Sequence, residues 1–252
     1  MLADSHTHLE MKEFDHDRNE VIGRAAAAGV AFILTVGTSL ELSRKAAALA
    51  SRHENIYAAI GIHPHDVLEI DNRTYDDLKE LACQKKVIAY GEIGLDFFRN
   101  NTPRNLQINR FGEQLELARE LNLPVIIHDR EAHYETIGMI RASGIRRGIF
   151  HCFSGDYQMA SRCLEMGFYI SVPGTVTFAK AATIQDVVSR VPLKSLLIET
   201  DAPFLAPHPC RGKRNEPAFV IHTTKKIAVI KGLEWEEVAE TTFCNTKKLF
   251  NM

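Results

Sequence analysis

Val87-Ile88-Ala89-Tyr90-Gly91-Glu92-Ile93, the charged stretch 103–121, and Pro124-Val125-Ile126-Ile127 make one strand–helix–strand unit that decides the fold. The outer segments are apolar nearly throughout and do not alternate, which is the pattern of parallel strands covered on both faces. The middle segment has helical spacing and opens on Pro103, which suits a first turn because its missing N–H would have no partner there. The unit repeats. Apolar runs recur at 1–3, 31–36, 56–62, 87–93, 124–127, 148–150, 168–172 and 196–198. Helices are expected over 15–28, 40–52, 75–85, 103–121, 132–143, 157–166, 177–190 and 217–230, with a terminal helix over 235–250. Gly144 and Gly167 fall where C-terminal caps belong. Eight βα units without a Pro/Ser-rich linker predict a single domain, 1–252, with the α/β fold of a TIM (β/α)8 barrel.

The chain has 252 residues, with Lys+Arg 30 against Asp+Glu 32, a net charge of -2 and a pI near 6.6. That excludes a protein that holds nucleic acid by bulk positive charge, since such domains usually have a pI above roughly 9. Any polyanionic substrate must be gripped locally. The start shows no basic region followed by an apolar core, so no secretory signal is expected. The weakly polar stretch 25–38 is broken by Gly29, Thr35 and Gly37, so no membrane span is expected either. Cys83, Cys152, Cys163, Cys210 and Cys244 include no Cys-x-x-Cys pair, which points to a reducing cytoplasm with neither a disulfide framework nor a zinc-thiolate site. No obligate protein partner is evident.

Chemistry-bearing residues gather where the strands end. His6 and His8 are two apart and so share a face of the first strand. Glu92, His128, His151 and Asp201 each follow the last apolar residue of a run, and in a barrel such positions open onto one rim. Imidazoles and carboxylates brought together call for a divalent cation. One cation is assigned to His6, His8, Glu92 and Asp201, a second to Glu92, His128 and His151, with Glu92 bridging. Two such cations can clamp both oxygens of a phosphoryl displacement, and Asp201 is placed as general base. The donor set suits Zn²⁺ or Mn²⁺, whereas nuclease work is commonly supported by Mg²⁺. Glu199 is expected to support the ligands from behind, and Asp4 to hydrogen-bond in the core.

For substrate, His63 is read as a donor to the phosphate or leaving group, and Arg130 as a bidentate phosphate partner, the alternative being an ion pair with Asp129 or Glu131. Arg211, Lys213 and Arg214 supply the local positive charge. Cys152 is expected to point into the helix layer; His16, His53, His133 and His222 are expected at the surface. Phe97 and Phe98 could stack a base or simply be buried. Ester or amide hydrolysis of a nucleotide or aminoacyl-linked substrate remains open, as does a non-catalytic binding module.

Asp4-Ser5-His6-Thr7-His8-Leu9, Gly61-Ile62-His63-Pro64-His65, Gly91-Glu92-Ile93-Gly94-Leu95-Asp96-Phe97, Ile127-His128-Asp129-Arg130, His151-Cys152-Phe153-Ser154-Gly155, Glu199-Thr200-Asp201-Ala202-Pro203 and Arg211-Gly212-Lys213-Arg214-Asn215-Glu216-Pro217 together resemble the TatD family of metal-dependent hydrolases. The resemblance implies an amidohydrolase-like barrel, two divalent metals and a deoxyribonuclease, often a 3′-to-5′ exonuclease, that meets DNA transiently. It also implies metal ligation by His6, His8, Glu92, His128, His151 and Asp201, with Asp201 as base and His63 at the substrate. Glu10 and Glu131 stand where the family commonly has Asp, and neither is expected to touch the ligands.

Overall fold

The computed structural model describes residues 1–99 and 101–252. Among the described residues eight strands lie in chain order, each parallel to the next. They are β1 (Leu2–Thr7), β2 (Val30–Val36), β3 (Ile56–Ile60), β4 (Val87–Asp96), β5 (Val125–Arg130), β6 (Gly148–Phe150), β7 (Phe168–Val172) and β8 (Leu196–Ile198). Asp201 N–H donates to the His6 carbonyl at 2.9 Å and His8 N–H to the Ala202 carbonyl at 2.7 Å, which brings the end of β8 against β1 and closes the barrel. Outside it run α1 (Arg18–Ala27), α2 (Leu40–Arg52), α3 (Thr74–Ala82), α4 (Arg104–Glu120), α5 (His133–Ser143), α6 (Tyr157–Glu165), α7 (Ala182–Arg190) and α8 (Val220–Lys231), followed by α9 (Trp235–Leu249). The predicted barrel is the observed one. Among the described residues no helix is long and apolar enough to cross a membrane.

Strand neighbours split between two apolar layers because successive side chains point to opposite faces. Ile33, Ile127, Phe150 and Ile198 pack outward under the helices. Phe32, Ile126, Ile149 and Leu197 form the inner cluster with Ala3 and Leu34. This double burial explains runs that are apolar throughout. Leu249 and Phe250 at the end of α9 join the inner cluster, and the Phe250 ring stacks on Phe32 at 5.7 Å, flooring the barrel at the strands' N-terminal end.

Several boundaries differ from expectation. β4 and β5 run on past their apolar runs, pairing Gly94 with His128 and Asp96 with Arg130, so Glu92 and His128 lie inside strands. His6 likewise lies within β1. Gly94, at φ 149°, permits this approach, since a Cβ there would overlap the His128 carbonyl oxygen. The helix expected from 177 begins at Ala182, and that expected from 217 begins at Val220; 3-10 turns, Gly174–Thr177 and Pro217–Phe219, occupy or precede the missing residues.

Candidate metal centre and its cleft

The Glu92 carboxylate is buried at the barrel's C-terminal end and its two oxygens face different partners. Oε2 lies 3.3 Å from His6 Nε2 and 3.8 Å from His8 Nε2. Oε1 lies 2.7 Å from His128 Nδ1, 2.8 Å from His151 Nε2 and 3.6 Å from His63 Nε2. Asp201, beyond β8, places Oδ1 3.4 Å from His8 Nε2 and 3.8 Å from His6 Nε2, while the two histidine nitrogens stand 3.3 Å apart. A cation held tetrahedrally at about 2.0–2.2 Å needs ligand atoms about 3.3–3.6 Å apart. The set His6, His8, Glu92 and Asp201, at 3.3–3.8 Å, lies close to that spacing and would contract slightly around an ion. His128, His151 and Glu92 Oε1 sit closer, as hydrogen-bond partners, and would open slightly around a second ion.

What lies behind each ring decides which nitrogen is free to bind. His8 Nδ1 donates to the Val36 carbonyl at 2.7 Å, which turns Nε2 to the centre, where it would ligate a cation on losing its proton. His128 Nε2 is 3.3 Å from Asp96 Oδ2, a carboxylate–histidine pair of the kind that orients metal ligands, whereas His151 Nδ1 lies 3.5 Å from Glu199 Oε1 without a hydrogen bond between them. His63 Nδ1 accepts the His65 N–H at 3.1 Å, so the neutral ring carries its proton on Nε2, toward Glu92. Among the described residues His6 Nδ1, His151 Nδ1 and Glu199 Oε2 are buried without a hydrogen-bond partner.

The electrostatics follow from carboxylates and imidazoles sharing one buried space. Burial alone would raise the Glu92 pKa, but His151, His63 and His128 outweigh it and hold the carboxyl well below its usual range. Burial opposes charge on His8 and His151, yet Asp201 and Glu10 around the first and Glu92 and Glu199 around the second keep both pKa values well above the ordinary. His63 goes the other way, driven down by burial and by His128, which favours its neutral form. Asp4 is pushed up to about 8, chiefly by burial; it accepts the Thr200 N–H at 2.9 Å and the Thr200 hydroxyl at 2.6 Å, the core role expected of it.

His8, His63, Glu92, His128, His151 and Asp201 line the floor of a cleft of about 800 Å³. Arg130 lines it; among the described residues it forms no ion pair with Asp129 or Glu131, and its guanidinium instead lies over the exposed Phe98 ring at 3.9 Å. Phe97 is buried. Arg211, Lys213 and Arg214 depart from expectation, for none lines the cleft. Arg211 sits over the Phe178 ring at 4.8 Å, Lys213 is exposed, and Arg214 is drawn to Asp17 at 2.6 Å. Cys152 also departs: it lines the cleft, because φ 42° breaks the two-residue alternation beyond β6, and its N–H donates to Glu199 Oε1 at 2.6 Å.

Glu10 corrects a further expectation, since its Oε1 is 3.7 Å from His8 Nδ1 while its Oε2 accepts the Thr35 hydroxyl. His16 is exposed, and His53, His133 and His222 are partly exposed, with His133 Nδ1 2.9 Å from Asp129 Oδ2. Residues with no assigned role also take part. Asp96 receives His65 Nε2 at 2.9 Å as well as His128, and accepts the Phe98 and Arg99 N–H groups at 3.0 and 2.9 Å. Its signal was available, because 92, 94 and 96 share one face of β4. Arg99 and Lys180 line the cleft too.

A parallel barrel gathering imidazoles and carboxylates at ligand spacing on its C-terminal rim defines a metal-dependent hydrolase of the TIM-barrel class. The family model described as TatD related DNase matches residues 3–251, and the chain belongs to that family. It is 42% identical to the metal-dependent hydrolase YabD of Bacillus subtilis, with all of both chains covered. It is 38% identical to the 3'-5' ssDNA/RNA exonuclease TatD of Cronobacter sakazakii, over 96% of this chain and 95% of that one. The crystal structure of the TatD homologue YJJV from Escherichia coli K12 superposes with a TM-score of 0.95 at 33% identity, covering 100% of this chain and 98% of the other.

Proposed function

We propose that the protein is a two-metal deoxyribonuclease that removes nucleotides from the 3′ end of DNA strands. The observation that carries this reading is the division of Glu92 between two sets of imidazoles, one oxygen to each. His6, His8 and Asp201 would complete one cation site, and His128 with His151 the other; the imidazole-rich donor set favours Zn²⁺ or Mn²⁺ over Mg²⁺. Such cations, when bound, supply Lewis acidity to a phosphoryl oxygen and lower the pKa of water. Asp201 accepts the proton of the attacking water. His63 Nε2–H donates to a phosphate oxygen, and Arg130, free of a carboxylate partner, pairs with phosphate. Arg211 and Lys213 would meet the strand only beyond the cleft. Kinship with a named exonuclease supports the substrate class, and five free thiols support a cytoplasmic setting.

The test is a substrate panel of single-stranded DNA, duplex DNA, RNA and small phosphoesters, run with measured metal content. Shortening of DNA from the 3′ end by protein with two metals per chain is expected. Chelation should abolish the activity and divalent metal restore it, while Glu92→Ala should lose both activity and metal with the barrel intact. Full hydrolysis by Glu92→Ala, or activity surviving exhaustive metal removal, would sink the mechanism.

A further inference from the structure

Two consecutive large apolar residues, Phe204 and Leu205, line the cleft while 48% and 36% exposed. They follow Asp201-Ala202-Pro203 directly, and their neighbours Pro203 and Ala206 are buried. The loop has no freedom to fold them away. Phe204 N–H donates to the Asp201 carbonyl at 2.9 Å. The Asn215 side chain, fully buried, donates to the carbonyls of Thr200 at 2.8 Å and Phe204 at 2.7 Å, and its own N–H donates to the Pro203 carbonyl at 3.0 Å. Glu216, next in the chain, is anchored by Arg24 at 2.6 Å. The apolar pair is therefore held out into the cleft by buried polar braces, an arrangement that favours a ligand with an apolar face.

The position of the pair within the barrel narrows the ligand. Phe204 stands beside the proposed metal site, its ring centroid 6.1 Å from that of His8 and inclined at 65°. It comes from the β8 side, whereas Arg99 and Arg130 reach the cleft from β4 and β5, across the barrel. The wall from β8 is apolar and aromatic, the wall from β4 and β5 carries the two guanidiniums with Phe98 beneath Arg130, Lys180 after β7 adds a further cation, and the carboxylate–imidazole centre lies between. A ligand with a flat π face at one end and an anionic phosphate at the other matches both walls, and a nucleotide unit has that shape.

We propose that Phe204, backed by Leu205, is the stacking platform for the base of the nucleotide at the scissile phosphate, a contact without sequence preference because every base has a π face. This rests on the nuclease reading. The experiment compares wild type, Phe204→Ala and Phe204→Trp holoenzymes on an oligothymidylate and on the same strand with abasic 3′-terminal residues. Loss of base stacking should raise KM for the oligothymidylate about 5- to 150-fold in Phe204→Ala, falling on KM more than on kcat. Phe204→Trp should restore it, and wild type and Phe204→Ala should converge on the abasic strand.

A second readout is binding. Trp235 is the sole tryptophan, so Phe204→Trp in a Trp235→Phe background gives one reporter, whose fluorescence a phosphorothioate oligothymidylate should quench. Normal cleavage by Phe204→Ala, an equal KM shift on both strands, or absence of quenching would overturn the platform alone. A wild-type protein that cleaves no DNA strand would overturn the nuclease reading and the platform with it.

Discussion

The two ends of the barrel interior use the same strands for opposite purposes. Toward the N-terminal end the inward positions are Ala3, Phe32, Leu34, Ile126, Ile149 and Leu197, capped by Leu249 and Phe250. One step of two residues further along, Ile126 gives way to His128, Ile149 to His151 and Leu197 to Glu199. The floor is apolar and supplies stability through burial; the rim packs carboxylates and imidazoles into one space, where removing charge from water costs free energy unless a cation joins them. A strand period of two lets one backbone carry both tasks, with a single residue pair marking the change.

That contrast makes separable predictions. Asp201→Asn should lower kcat by about 10²–10⁴-fold while the melting temperature holds or rises; full activity would break the assignment of chemistry to the rim. Phe32→Ala, in the floor, should cost about 3–5 kcal/mol in denaturant unfolding, with metal content per folded chain unchanged. A loss of metal without a loss of stability would invert the comparison. Glu199→Gln, which removes a charge behind His151, should weaken metal binding about 10–100-fold by calorimetry.

A smaller effect concerns Asp66 on the cleft wall, pushed up to about 6 by burial and by the nearby Glu69 and Glu92 carboxylates. The folded chain holds that proton to higher pH than the unfolded chain does, so this group removes stability as pH rises from about 4 to about 6. Asp66→Asn should flatten the decline in melts taken across that interval. The smallest change is expected from neutralising Arg211 and Lys213 together. Arg130→Ala should reduce the salt slope of single-stranded DNA binding by about 0.7, and the loop variant by less; the reverse order would return the loop to the binding site.

Much of this was legible in the chain. The strands appeared as apolar runs because burial on both faces removes polar residues locally, and the donors were visible because each sits at the end of such a run. The ends of β4 and β5 were not, since Asp96 and Arg130 are polar and their strand character comes from pairing with each other. Cys152 was misplaced because alternation holds only while the backbone stays extended. The charge of Arg214 was plain, but Asp17, which claims it, lies 197 residues earlier.

The sequence by itself determined the barrel and the kinds of atoms gathered at its rim, because strand and helix periodicity are local consequences of backbone geometry. The tertiary structure alone decided which nitrogen of each histidine faces inward, how Glu92 divides its oxygens, which arginine stays free and where Phe204 stands. Those outcomes depend on partners brought together by folding, as Val36 is brought to His8 from 28 residues away. A ring's tautomer and a carboxylate's allegiance are set by the atoms within about 3 Å, and the order of residues along a chain does not specify those.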